Sequence, residues 1–183
     1  MKWKTGLILS LILFALPAQG AGYRSQLGKW TRSRQWYSTK TFHANIIWKA
    51  TYFSPDFRKA FTQRHVRKKF LDPLASAQYV ADQEKKGAKY HEFFLGVYAR
   101  EPYENLSLSP GSFWKVLLVG EKGESVEPVS IEFVEITPYE EVMFPYVDRW
   151  TTGYRVLFPK TDLGPHFKLS LRSVLGESVL KWE

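Results

Sequence analysis

The sequence predicts a mainly β protein: an antiparallel β-sandwich of broadly immunoglobulin-like architecture with a two-helix insertion at about residues 55–86. A closed β-barrel is the alternative. Three observations lead there. Six to eight short segments alternate apolar with polar residues or run apolar, with Gly, Pro, Asn and Ser turn signals between them. Two cap-then-proline pairs, Ser54-Pro55 and Asp72-Pro73, mark helix starts between two of those segments. The chain is 44% hydrophobic and 16% aromatic, rich enough in apolar side chains to build a core.

The chain starts with what reads as an export signal. Lys2 and Lys4 precede an apolar run from Gly6 to Leu16, Pro17 breaks it, and Ala18-Gln19-Gly20 offers small residues at the two positions a signal peptidase reads. Cleavage is expected after Gly20, with Ala21 as second choice, which leaves residues 21–183 as a single domain. An uncleaved anchor is the competing reading, but a spanning helix needs about 20 apolar residues and this run is shorter. No cysteine is present, which excludes disulfides, thiolate metal sites and a lipid-modified cysteine. Export without disulfides suits a bacterial envelope protein whose core folds unaided. The expected location is therefore periplasmic or secreted.

Residues 39–53 alternate over a long stretch, with Phe42, Ala44, Ile46, Trp48, Ala50 and Tyr52 on one face. That period argues a half-buried strand. Residues 30–37 before it form a shorter strand or an extended arm. Ser54 can cap a helix, Pro55 suits its first position and Asp56 favours its positive end. A second helix should start at Asp72-Pro73, run to about Lys86 and stop at Gly87. Strands resume at 90–98 and 112–119, separated by a polar loop over 101–111. Gly120-Glu121-Lys122-Gly123 is a hairpin turn whose returning strand spans 126–136. Pro128 places that strand at an edge or marks its beginning. A change of apolar parity between Phe133 and Val134 suggests a bulge. Thr137 and Glu140 have capping-box spacing, so a short helix should follow and end before Pro145. Residues 154–158 form a strand closed by Pro159. Residues 166–173 and 177–182 form a last pair around Leu175-Gly176.

Motifs for chemistry are sparse. The four histidines, His43, His65, His91 and His166, show no metal-ligand spacing. His91 and Glu92 are adjacent on a strand and must face opposite ways. Glu140-Glu141, with Glu132 and Glu135 nearby, reads as a solvated acidic face, because glycosidic chemistry needs two carboxylates across a cleft. No phosphate loop, nucleophile elbow or zinc-protease helix occurs. No cofactor is called for and no metal. Of the tryptophans, Trp48 and Trp114 follow apolar faces and belong to the core. Trp30 and Trp36 sit among bases, and Trp150 is assigned to the core with a cleft wall as alternative.

Charge is unevenly placed. Residues 22–70 hold twelve bases and one acid, whereas residues 71–183 hold twelve bases and 17 acids. The two halves either neutralise each other in the fold or the basic half meets an anionic partner. The densest basic segment is the first helix, and Arg58, Lys59, Arg64, Arg67, Lys68 and Lys69 are its candidate binding residues. On that helix Phe57, Ala60 and Phe61 share a face, while Val66 and Phe70 lie nearly opposite. One straight helix cannot bury both sets against one surface, so it bends, ends near Arg64 or is clamped between the sandwich and the second helix. A helix lying flat on a membrane needs one continuous apolar face, which this one lacks.

These readings favour an exported, non-enzymatic binding or assembly module that contacts an anionic envelope component or an acidic protein through the basic helix. Nucleic acid does not fit an exported chain. The alternative is a hydrolytic enzyme with a site assembled from distant residues.

Overall fold

In the computed structural model, residues 22–37, 44–99, 108, 114–174 and 176–183 are described. The expected signal segment, the start of the 39–53 strand, most of the 101–111 loop, the beginning of the 112–119 strand and Leu175 lie outside them. Within the described residues the elements run α1 (Tyr23–Trp30), β1 (Thr31–Tyr37), β2 (Ala44–Tyr52), α2 (Pro55–Lys69), α3 (Pro73–Lys89) and β3 (Tyr90–Ala99). They continue with β4 (Lys115–Val119), β5 (Ser125–Val126), β6 (Ser130–Val134), α4 (Pro138–Met143), β7 (Thr152–Pro159), β8 (Phe167–Ser173) and β9 (Gly176–Trp182).

The strands form two antiparallel sheets, one of five in the order β1-β2-β3-β7-β6 and one of four in the order β5-β4-β8-β9. Among the described residues the two sheets share no strand and neither closes on itself, so the closed-barrel alternative does not hold. Alternation along β2 and β3 decides what faces what. Ile46, Trp48, Ala50, Tyr52, Phe93, Leu95 and Val97 turn towards the second sheet, meeting Val116, Leu118, Leu169, Leu171, Leu180 and Trp182 in one buried cluster. Trp48 is wholly buried there, and its indole N–H donates to Ser178 Oγ across the two sheets at 2.9 Å. Phe167 and Trp182 stack at 5.3 Å in the same cluster.

The other face of the five-stranded sheet is also covered, and this the period-two pattern does not show. Phe53 and Phe94 pack there under Leu27 of α1, Phe57 and Phe61 of α2, and Met143, Phe144 and Val147 at α4 and beyond. Phe94 and Phe144 stack at 3.9 Å. Gly96 lets this layer close, because a Cβ there would stand 2.6 Å from Val147 Cγ1. The helices therefore lie across one face of the sheet and give the molecule a third layer.

Local signals hold well at the helix starts. Ser54 Oγ accepts from the Phe57 N–H at 3.1 Å, and Asp72 Oδ1 accepts from the Ala75 N–H at 2.8 Å. Thr137 and Glu140 form the reciprocal capping box. Four expectations are corrected. The third helix runs past Gly87 to Lys89, because Gly87 packs under an arginine inside the helix and does not terminate it. The returning strand over 126–136 is two strands, with Pro128 in the break: β5 pairs with β4, and β6 joins the other sheet beside β7. Register along β6 is continuous from Ser130↔Leu157 to Val134↔Gly153, so no bulge lies at Phe133. The parity change there reflects two layers, since Ile131 packs in the inter-sheet core and Val134 against the helices. Trp150 is 65% exposed in a turn, its ring covered by Arg149 at 4.8 Å, and is not a core residue.

The apolar conflict in the basic helix is resolved in a way its sequence pattern left out. α2 neither ends near Arg64 nor buries both apolar sets. Phe57 and Phe61 are buried against the sheet and Phe70 is left 92% exposed.

Candidate anion-binding cleft

Strand alternation puts Glu92 on the helix-covered face of β3 and its neighbour His91 on the inter-sheet face. Glu92 is completely buried. Three cations from three elements reach it: Arg58 Nη1 of α2 at 2.7 Å, Lys86 Nζ of α3 at 3.0 Å and Arg155 Nε of β7 at 3.4 Å. Burial alone would raise the Glu92 pKa, but Arg155, Arg58 and Lys86 together hold it below its ordinary value, so it is ionised. One negative charge then faces three positive ones, and the cluster carries a net positive excess.

Arg58 is the member that opens onto a cleft. It is 6% exposed, unusual for an arginine, and it enters the helix layer because α3 makes room. Gly87 lies against it: a Cβ at that position would stand 2.8 Å from Arg58 Nε. Arg58 Nη1 also donates to Gln83 Oε1 at 3.0 Å. Its second terminal nitrogen, Nη2, is buried without a hydrogen-bond partner, although the guanidinium lies over the Phe53 ring at 5.3 Å. A ring face satisfies a guanidinium N–H only weakly, so donor capacity remains.

The cleft beside it has a volume of about 510 Å³ and lies between α2, α3 and the segment after β7. Arg58, Lys59 and Lys160 supply cations, Glu84 is the acid among the lining residues, and Phe53, Pro55 and Val80 make apolar wall. Thr62, also lining, is buried and its hydroxyl has no hydrogen-bond partner. Burial, with the charge of Arg58 added, pushes the Lys160 pKa below the usual lysine range. The opposite charge of a bound anion would offset both causes by favouring the protonated amine.

The six basic residues of the helix have separate environments. Arg58 is in the cluster just described. Arg64 lies over the Tyr23 ring at 4.6 Å and donates to the Val142 carbonyl at 3.3 Å, which ties α2 to α1 and α4. Lys69 sits over the Tyr139 ring at 4.2 Å. Lys59, Arg67 and Lys68 are exposed, Lys59 at the cleft and the other two near the far end of the helix. Sequence reasoning missed Glu92, Gln83, Gly87, Lys86, Arg155 and Lys160. One signal could have found Glu92: an acid in the middle of an otherwise apolar strand requires a partner if both faces of that strand are covered.

Among the described residues no helix is long and apolar enough to cross a membrane. Comparison with protein-family models, with curated proteins and with solved structures gave no match, so any functional reading must come from the geometry.

Proposed function

We propose that the chain is an exported envelope protein and a non-enzymatic binding module. Residues 1–20 act as its cleaved signal. A sandwich of broadly immunoglobulin-like architecture serves as scaffold, and the α2–α3 layer meets an anionic component through the basic helix. The observation that carries this reading is the cleft: Arg58 and Lys160 converge on it, a buried guanidinium nitrogen and a buried hydroxyl beside it lack partners, and the neighbouring charge is in positive excess. A carboxylate or phosphate group would supply acceptors for both and offset the excess. Lys59 extends the positive rim, while Arg67 and Lys68 add long-range attraction for an anionic surface. Hydrolysis is the weaker reading. Thr62, the hydroxyl among the lining residues, has no partner, whereas a hydroxyl activated for attack sits against a base.

The test is thermal unfolding and calorimetry of the mature protein with inorganic phosphate and a short-chain alkyl phosphate as probes. A ligand at about 100 times its Kd should add about 2.7 kcal/mol of stability. Lys160→Ala and Lys59→Ala should each weaken the shift, and an equal shift in the double variant, or none in the wild type, would refute the cleft as the site. Mass analysis of the envelope-fraction protein should find Ala21 at its N-terminus; an intact leader would contradict the export step.

A further inference from the structure

α2 and α3 form a helical hairpin. His65 stacks on Tyr79 at 4.1 Å near one end, and Arg58 meets Gln83 at 3.0 Å nearer the other, so the helices run antiparallel. Their connection lies beyond the packed layer: none of residues 66–78 is buried. At this tip Phe70 is 92% and Leu74 81% exposed. Phe70 is not a frayed end. It is held at φ 51° by its N–H to Val66 O, with the Leu71 N–H donating to the same carbonyl at 3.2 Å. Asp72 then caps α3 at once. A bulky aromatic in the left-handed region is costly where glycine or asparagine would be cheap. Here the cost is borne to project a ring into solvent, with Arg67, Lys68 and Lys69 immediately before it and Asp72 as the acid in the turn.

We propose that this tip docks on the surface of an anionic lipid bilayer, with Phe70 and Leu74 entering the headgroup–acyl boundary and Arg67 and Lys68 meeting the lipid phosphates. The charge of the tip selects this occupant, since three consecutive bases flank two apolar side chains that have no protein partner. Shallow insertion of two side chains needs no apolar face along the whole helix, so the split pattern of α2 is no obstacle to it. The inference shares with the proposed function the premise that the outer cations of α2 face an anion. It does not depend on the cleft.

Vesicle flotation tests it, using the mature protein and vesicles of phosphatidylcholine with or without one quarter phosphatidylglycerol. Every variant carries the same N-terminus, so differences between them report the tip. Binding to the anionic vesicles should exceed binding to the neutral ones and fall between 0.05 and 0.5 M salt, values on either side of strong screening at about 0.1 M. Arg67→Glu with Lys68→Glu should weaken it by about two orders of magnitude. Phe70→Ser with Leu74→Ser should weaken it at least about tenfold. Phe70→Gly separates docking from folding, because it should raise the unfolding temperature by relieving the left-handed residue while reducing vesicle binding. The proposal is overturned if the wild type floats with neither vesicle, which would point to a protein partner. Wild-type flotation of the Phe70→Ser, Leu74→Ser variant would also overturn it. The Phe70→Ser, Leu74→Ser variant should keep the wild-type phosphate shift, because neither residue lines the cleft, so failure of the cleft and failure of the tip give different results.

Discussion

Removing Arg58 would leave Glu92, with no exposed surface, short of its nearest counter-charge. Breaking a buried pair by deleting one partner costs about 3–5 kcal/mol, and Lys86 and Arg155 remain to soften the loss, so Arg58→Met is expected near the lower end. Glu92→Gln should be at least as damaging, because it leaves three cations close together without their acid. Urea unfolding of both variants measures this, and a change under about 1 kcal/mol in either would show that the cluster does not hold the helix layer to the sheet. At Gly87 the constraint is steric. Alanine would normally favour a helix interior by about 1 kcal/mol, but its Cβ would lie 2.8 Å from Arg58 Nε. Gly87→Ala should therefore destabilise the protein and weaken phosphate binding together. Neither the burial of Arg58 nor the packing of Gly87 against it could be assigned from sequence. A base on a helix reads as exposed and a glycine near a helix end reads as a stop until the packing partner is known.

Among the elements, the helix starts were the most legible, since a cap is a contact between residues two or three apart and needs nothing distant. Ser54→Ala and Asp72→Ala should each cost about 1 kcal/mol by thermal or urea unfolding. The Asp72 variant should also loosen the hairpin tip and with it vesicle docking. Strands were legible as strands, because alternation survives whichever partner they meet. Their pairing was less so. Gly123, at φ 89°, closes the turn after β4 as its sequence suggests, yet the partner it returns is only Ser125–Val126. Pro128 has no N–H for a ladder, and the chain crosses there to the other sheet, where Val129 N–H donates to Leu157 O at 2.8 Å. What looked like a bulge at Phe133 and Val134 is an edge strand shared between two layers.

Across the whole molecule, acid should be destabilising. His65 and His91 both have pKa values lowered first by burial; for His65 the charges of Lys69 and Arg155 add to this. For His91 burial, with the charge of Lys160, outweighs the Thr161 carbonyl at 2.8 Å, which by itself would favour the protonated ring; the Tyr52 hydroxyl lies 3.0 Å from its other nitrogen. A histidine whose folded pKa lies below its unfolded value of 6.5 leaves the unfolded chain binding more protons just under that pH. Stability is then complete above pH 6.5 and falls as pH drops towards the folded values. Glu92 adds a second loss in the same direction, which begins near its unfolded value of 4.5 and continues as pH falls through its lower folded value. Unfolding temperatures between pH 8 and 4 should decline in this order, and His65→Gln with His91→Gln should flatten the upper step; a level profile would contradict the linkage. The sequence by itself determined the β class, the helix starts, the apolar face of β2 and the uneven distribution of charge, because each is a property of neighbouring residues or of composition. Only the tertiary structure decided that the five-stranded sheet is covered on both faces, that Arg58 leaves the basic surface to meet Glu92, and that Phe70 is held out in solvent. Those outcomes join residues far apart in the chain, where local periodicity carries no information about which element packs on which.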